Sequence, residues 1–168
     1  MARRIEHRTR SDWGVTTVYR TLVDPDYLRE RLAAIGGRNA ALVEHEVTAD
    51  SARFRLRHGV ASEDLPAIVQ RVLGGDLTID RVETWRPDSD GGYAGTVRVA
   101  IPGTPGELTG DQRLVAAGEG SERTVDGSVR IGIPLVGGAV EETVAKRVSQ
   151  LLTAEAEFTE TWLGKHQS

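Results

Sequence analysis

The chain ends in a long amphipathic segment. Residues 133–163 read IPLVGGAVEETVAKRVSQLLTAEAEFTETWL. Apolar residues recur in this segment near helical spacing, from Val140 to Trp162, and charged residues fill much of the remainder. The spacing predicts one long helix from about Val136 to Leu163, with an apolar stripe that must be buried against another element.

The segments before this helix alternate apolar and polar residues with the period of two that is typical of strands. The predicted strands cover residues 4–10, 40–48, 51–58, 77–86, 93–101, 108–117 and 123–132. Two short helices are predicted after the first strand, over 15–23 and 25–35, and a small helix over 62–73. This order predicts an α+β fold with one antiparallel sheet. A long curved sheet wrapped around a single helix tends to leave space inside.

Length and composition narrow the possible functions. With 168 residues, and roughly 150 residues in an average domain, we expect a single domain spanning 1–168. The absence of cysteine excludes disulfides, thiolate metal sites and a cysteine nucleophile. A net charge of -4 gives no support for nucleic-acid binding. No apolar run approaches the ~20 residues of a membrane span, so we expect no integral membrane association and a cytoplasmic protein.

Four stretches of the sequence together resemble a known superfamily. They are the helix junction Leu22-Val23-Asp24-Pro25-Asp26-Tyr27-Leu28, the triplet Glu83-Thr84-Trp85, the turn Ile133-Pro134-Leu135-Val136-Gly137-Gly138, and the final run from Glu155 to Leu163. Their order and spacing resemble the helix-grip fold of the START-like, or SRPBCC, superfamily, over nearly the whole chain. They look most like a bacterial branch known only as a domain of unknown function.

The resemblance implies both an architecture and a class of ligand. The superfamily includes lipid-transfer domains, plant hormone and allergen proteins, polyketide cyclases and aromatases, and chaperone co-activators. It implies a seven-stranded curved antiparallel sheet around the long C-terminal helix. A cavity between sheet and helix would hold a small apolar or amphipathic ligand, such as a lipid, an isoprenoid or a polyketide-like compound. It implies no catalytic residues, because no set of cyclase residues matches this chain, and we expect no cofactor.

Histidines are the sharpest local feature of the predicted strands. His7, His45 and His58 all take the apolar phase of their strands, the phase that faces the cavity in the resembled fold. A histidine there can orient a ligand or act as a general acid or base. It can equally be a strand-end residue that is partly exposed or bonded to backbone. We expect no metal site, because the first strand pairs with the last in that fold, away from the second and third.

Other polar residues share the inward phase of their strands. On the fourth predicted strand Arg81, Glu83 and Trp85 share the phase of Leu77 and Ile79. This predicts that Arg81 and Glu83 point inward, as a buried pair or as ligand contacts, or that a bulge makes them a surface pair. Further candidates that share an inward phase are the polar residues Tyr93 and Gln112 and the apolar residues Phe54, Leu56, Val97, Val129, Val144, Val148 and Leu151.

Three functions follow from this interpretation. The first is binding or transport of a small hydrophobic ligand without covalent chemistry. The alternative is a polyketide cyclase-, aromatase- or dehydratase-like enzyme that uses a pocket histidine. The second alternative is a protein-interaction or co-chaperone-like module. Large side chains that close the pocket would favour the module, and two histidines converging in an open pocket would favour the enzyme.

Overall fold

Seven antiparallel strands form one sheet in the computed structural model, which describes residues 2–166. The strands are β1 (Arg3–Ser11), β2 (Ala41–Val47), β3 (Ala52–Val60), β4 (Leu77–Pro87), β5 (Tyr93–Ala100), β6 (Gly106–Ala117) and β7 (Gly120–Ile131). Their order across the sheet is β1-β7-β6-β5-β4-β3-β2, so β1 and β2 are the two edges. Every neighbouring pair is antiparallel, which confirms the predicted sheet and the pairing of the first strand with the last.

Helices cover one side of the sheet. They are α1 (Val15–Leu22), α2 (Pro25–Ile35), α3 (Ala67–Leu73) and α4 (Gly137–His166). The side chain of Asp24 caps α2 by accepting hydrogen bonds from the backbone N–H groups of Asp26 and Tyr27, at 2.8 and 3.1 Å. The predicted α+β fold and the long C-terminal helix are confirmed.

The small helix predicted near 62–73 is α3, and a break separates it from a preceding 3-10 turn, Ser62–Asp64. Proline explains the break: Pro66 has no backbone N–H to donate, and its ring disfavours helical dihedrals at Leu65. On α3 Ile68 is 44% exposed, whereas its neighbour Val69 is buried.

The start of α4 is fixed closely to the last strand. A side chain at Gly137 would place its Cβ 2.5 Å from the carbonyl oxygen of Ile131, so only glycine allows this approach. The carboxylate of Glu141 then accepts a hydrogen bond from the backbone N–H of Ile131 at 2.8 Å. From there α4 packs along β1 and β7, and α2 packs against both α4 and β2.

Two apolar clusters fill the space between sheet and helices. The first surrounds the N-terminal half of α4, where Val140, Val144 and Val148 meet side chains of β1 and of β4–β7. The second lies beneath α1 and α2 and includes Tyr27 and Trp85. The boundary between the clusters falls within β4 and α4, and the buried charged residues Arg81, Glu83 and Glu155 lie there.

Candidate ligand-binding cavity

A cavity of about 530 Å³ lies between the sheet and α4, within the first apolar cluster. Its volume falls in the range of small-molecule sites in proteins, about 300–1,000 Å³. Most of the side chains in its wall are apolar. They include Ile5 of β1, Ile79 of β4, Val97 and Val99 of β5, Leu108 of β6, Val125 of β7, and Val148, Leu151 and Leu152 of α4.

The mouth of the cavity lies where the end of α2, the 3-10 turn and α4 come together. Arg38, Glu63 and Asp64 are exposed there, and Nη2 of Arg38 lies 3.5 Å from Oε1 of Glu63. The backbones of Gly37 and Gly59 touch beside it. A Cβ at Gly59 would sit 2.0 Å from the carbonyl oxygen of Arg38, and Gly37 has a φ of +83°, so glycine is needed at both positions.

A largely buried charged network lies behind the inner end of the cavity, on the boundary between the two apolar clusters, and Arg81 is its member in the cavity lining. The network consists of Arg31, Arg81, Glu83, Arg123 and Glu155. Nη1 of Arg81 donates to Oε2 of Glu155 at 2.8 Å, and its Nη2 lies 2.8 Å from Oε2 of Glu83. Nη2 of Arg31 lies 3.5 Å from the same Glu155 oxygen, and Nη2 of Arg123 donates to Oε1 of Glu83 at 3.1 Å.

The arginines keep both network carboxylates ionised. Burial alone would raise the pKa of Glu155, but Arg31 and Arg81 outweigh burial and hold it at about 2. Burial likewise opposes ionisation of Glu83, and Arg81 with Arg123 lowers its pKa below the ordinary value. Burial would lower the pKa of Arg81, but Glu155 and Glu83 raise it. The network is therefore fully charged at neutral pH.

His58 lies in the cavity wall beside this network. It is 3% exposed, and neither ring nitrogen has a hydrogen-bond partner among the described residues. Burial, followed by the charge of Arg81, lowers the pKa of His58 from 6.5 to about 4. At neutral pH the imidazole is therefore uncharged, with one nitrogen able to donate and the other able to accept.

Five of the residues predicted from the sequence line the cavity together. They are His58, Arg81, Val97, Val148 and Leu151. The others lie outside its lining. Glu83 belongs to the charged network, and Oε1 of Gln112 accepts a hydrogen bond from Arg123 at 2.6 Å. The apolar candidates pack in the core instead. Phe54, Leu56 and Trp85 lie in the second apolar cluster, with Tyr93 packed against it, and Val129 and Val144 lie in the first.

The other two histidines do not join His58. They lie on β1 and β2, the opposite edges of the sheet. Nε2 of His7 makes a hydrogen bond with Oγ1 of Thr153 on α4 at 3.1 Å. Nε2 of His45 lies 2.7 Å from the carbonyl oxygen of Val23, which is the backbone-bonded arrangement considered from the sequence.

Sequence reasoning missed three members of the charged network, namely Arg31, Arg123 and Glu155. Glu155 and Arg31 come from helices in which charged residues are frequent, so their burial was not evident. A signal existed for Arg31, because it lies three residues after Leu28 and four before Ile35 and thus shares their buried stripe. For Glu155 the equivalent signal was its position three residues after Leu152. A signal also existed for Arg123, because it shares the phase of Val125 on β7.

Comparison with known proteins identifies the family. The model of the family "Protein of unknown function (DUF2505)" matches residues 6–163. The chain belongs to this family. The sequence is also 31% identical over 157 residues to "Uncharacterized protein Rv0481c" of Mycobacterium tuberculosis, covering 89% of this chain and 90% of that protein. "Uncharacterized protein Mb0491c" of Mycobacterium bovis matches with the same figures.

Solved structures of similar shape show how this DUF2505 chain is folded. TTHA0849 from Thermus thermophilus has a TM-score of 0.59 at 18% identity, covering 94% of this chain and 97% of that one. Human STARD10 has a TM-score of 0.59 at 12% identity, covering 98% and 67%. A STAR-related lipid transfer protein from Xanthomonas axonopodis has a TM-score of 0.53 at 19% identity, covering 91% and 84%. These likenesses confirm the START-like helix-grip fold.

Within residues 2–166, none of the helices is both long enough and apolar enough to cross a membrane.

Proposed function

We propose that the protein binds a small hydrophobic or amphipathic molecule in the cavity between the sheet and α4, and holds or transports it without covalent chemistry. The observation that carries the proposal is the cavity itself, about 530 Å³ with a largely apolar wall and an accessible mouth. An apolar cavity of this size excludes a ligand's surface from water, which supplies most of the binding free energy for such molecules.

Two further observations support binding over the other functions considered. The cavity is open rather than filled by large side chains, which argues against a purely surface-based interaction module. The fold neighbour from Xanthomonas is described as a STAR-related lipid transfer protein, and lipids belong to the class of ligand proposed here. Fold alone does not define the ligand, which is why a direct binding test is required.

The test is titration of the folded protein with an apolar naphthalene dye. We expect saturable binding near one dye per chain. Val99→Phe adds a ring to the cavity wall and should weaken dye binding by at least about tenfold, because it fills part of the space that the dye needs. Val82→Phe is the matched control, since Val82 lies on the outer phase of β4 and should leave dye binding unchanged. Absence of saturable binding, or equal loss in both variants, would refute the proposal.

An enzyme remains the second candidate because of one residue. His58 lies in the cavity wall, is uncharged at neutral pH and has no hydrogen-bond partner at either nitrogen among the described residues, so it can accept a proton from a bound compound. Its pKa of about 4 makes it a weaker base than an ordinary histidine. The absence of a second histidine beside it favours binding. If a bound compound is converted, His58→Gln should reduce turnover by roughly 10²–10⁴-fold while affinity changes little. If the protein only binds, the compound is recovered unchanged from wild type.

A further inference from the structure

Charges are not balanced at the inner end of the cavity. The network holds three guanidinium groups, from Arg31, Arg81 and Arg123, against two carboxylates, from Glu83 and Glu155, which leaves one positive charge in excess. In the part of the chain that the structure describes, no other carboxylate lies within 4.0 Å of these guanidinium groups. The Arg31 and Arg81 side chains are 2% and 4% exposed and that of Arg123 is 13% exposed, so the excess charge is largely withdrawn from water. Such a charge is costly unless it is paired.

Donors are also left unused at this point. Among the described residues Nε of Arg81 has no hydrogen-bond partner, whereas its Nη2 is paired with Glu83 at 2.8 Å. Both nitrogens of His58 are likewise unpartnered. Arg81 and His58 are the two buried polar side chains among the residues that line the cavity. They occupy diagonal positions on neighbouring strands, since His58 pairs with Ile79 and Arg81 with Leu56.

We infer that the ligand of this cavity is an amphipathic monocarboxylate, whose carboxylate lies against Arg81 and His58 at the inner end and whose apolar chain extends toward the mouth. The inference rests on the proposed function and adds the chemical class of the ligand. A carboxylate supplies one negative charge, which equals the excess of the network. It also accepts hydrogen bonds from a guanidinium and from the N–H of a neutral imidazole.

A phosphate monoester head group fits this site less well. A phosphate monoester carries about 1.5 to 2 negative charges at neutral pH, more than the single excess charge available. The cavity volume also limits the ligand. At the ~30 Å³ that one water occupies in the liquid, 530 Å³ holds on the order of 18 water-sized groups. Dodecanoic acid, with twelve carbons and two oxygens, is therefore a suitable probe.

The experiment compares four probes that share a twelve-carbon hydrocarbon tail and differ in their head group. Dodecanoate, 1-dodecanol, dodecyltrimethylammonium and dodecyl phosphate are each titrated against wild type by displacement of the naphthalene dye. We expect dodecanoate to bind at least about tenfold more tightly than 1-dodecanol, and the cation to bind weakest. Binding of the alcohol as tight as that of dodecanoate would overturn the inference while leaving the proposed function intact. Tighter binding of the phosphate would overturn the assignment of a carboxylate. Binding of none of the four would instead overturn the proposed function.

A variant tests where the carboxylate lies. Arg81→Met should abolish the preference for dodecanoate over 1-dodecanol, while Arg98→Met, which removes an exposed arginine on the outer face of β5, should retain it. A preference that survives in folded Arg81→Met would overturn the placement. If Arg81→Met does not fold, carbon-13 NMR of carboxyl-labelled dodecanoate bound to wild type decides. The bound carboxyl should have a lower pKa than the free acid, and a raised pKa would refute the placement.

Discussion

Replacing His58 by Gln should make the protein's stability less sensitive to acid. His58 is buried, and burial together with Arg81 lowers its pKa to about 4 in the folded protein, against an ordinary value of 6.5. Arg31 also disfavours the protonated imidazole. The carboxylates of Glu155 and Glu83 favour it, but less strongly than burial and Arg81 oppose it. Between pH 6.5 and pH 4 the unfolded chain therefore binds more protons at this residue than the folded protein does, and acid favours unfolding.

The size of this effect follows from the difference between the two pKa values. The values of 6.5 and about 4 differ by about 2.5. At about 1.4 kcal/mol for each tenfold change, the free energy of unfolding falls by about 3 kcal/mol once the pH is below 4. Roughly 2 kcal/mol of that loss occurs between pH 7 and pH 5, before most carboxylates titrate. The contribution of His58 is complete above pH 6.5 and is lost as the pH falls.

Urea unfolding at pH 7, 6 and 5, followed by circular dichroism, measures this loss. Wild type should lose about 2 kcal/mol more than His58→Gln between pH 7 and pH 5. Some sensitivity should remain in the variant, because burial also lowers the pKa of His7. His166→Gln, at the exposed end of α4, is the control and should behave like wild type. Equal acid sensitivity in wild type and His58→Gln would refute a buried, uncharged His58.

Four further outcomes are expected. Val144→Asp places an unpaired charge in the first apolar cluster and should prevent folding, which a thermal melt by circular dichroism will show. Glu155→Gln leaves buried guanidinium groups without their charged partner and should reduce the free energy of unfolding, measured by urea titration, by about 3–5 kcal/mol. Glu157→Gln, at an exposed position of the same helix, is the control and should change it by less than about 0.5 kcal/mol. Gly59→Ala forces the backbones at the cavity mouth apart and should cost about 1–3 kcal/mol, so an unchanged melting temperature would contradict the close contact. DNA and RNA should migrate unchanged in gels with micromolar protein at low salt, and a salt-sensitive shift would show nucleic-acid binding.

The sheet was predictable because one side of it is buried. Period-two alternation placed Arg81, Glu83 and Trp85 in the same phase as Leu77 and Ile79, and all five are buried in the structure. A one-residue shift of register would have turned every one of them outward, so the pattern determines the face strongly. The alternative of a bulge that makes Arg81 and Glu83 a surface pair is wrong, since β4 pairs in continuous register with β3.

The partners of the buried charges were not predictable in the same way. Arg81 and Glu155 are 74 residues apart, and nothing local in either segment indicates that they meet. The cavity is a similar case, because empty space depends on how the volumes of side chains from six strands and three helical segments add up. Alternation identified Val97 as inward-facing but could not separate it from Val129, which packs in the core without lining the cavity. Periodicity assigns a side chain to a face, and the fold then determines its neighbours.

Native mass spectrometry of the protein incubated with a bacterial lipid extract tests the binding proposal most directly. We expect one small apolar or amphipathic molecule bound per chain in wild type, and a strongly reduced bound fraction in Val99→Phe, whose added ring occupies the cavity. Val82→Phe should retain the bound molecule at the wild-type level. Detection of the bare chain alone, or of the same bound fraction in wild type and both variants, would contradict a ligand site between the sheet and α4.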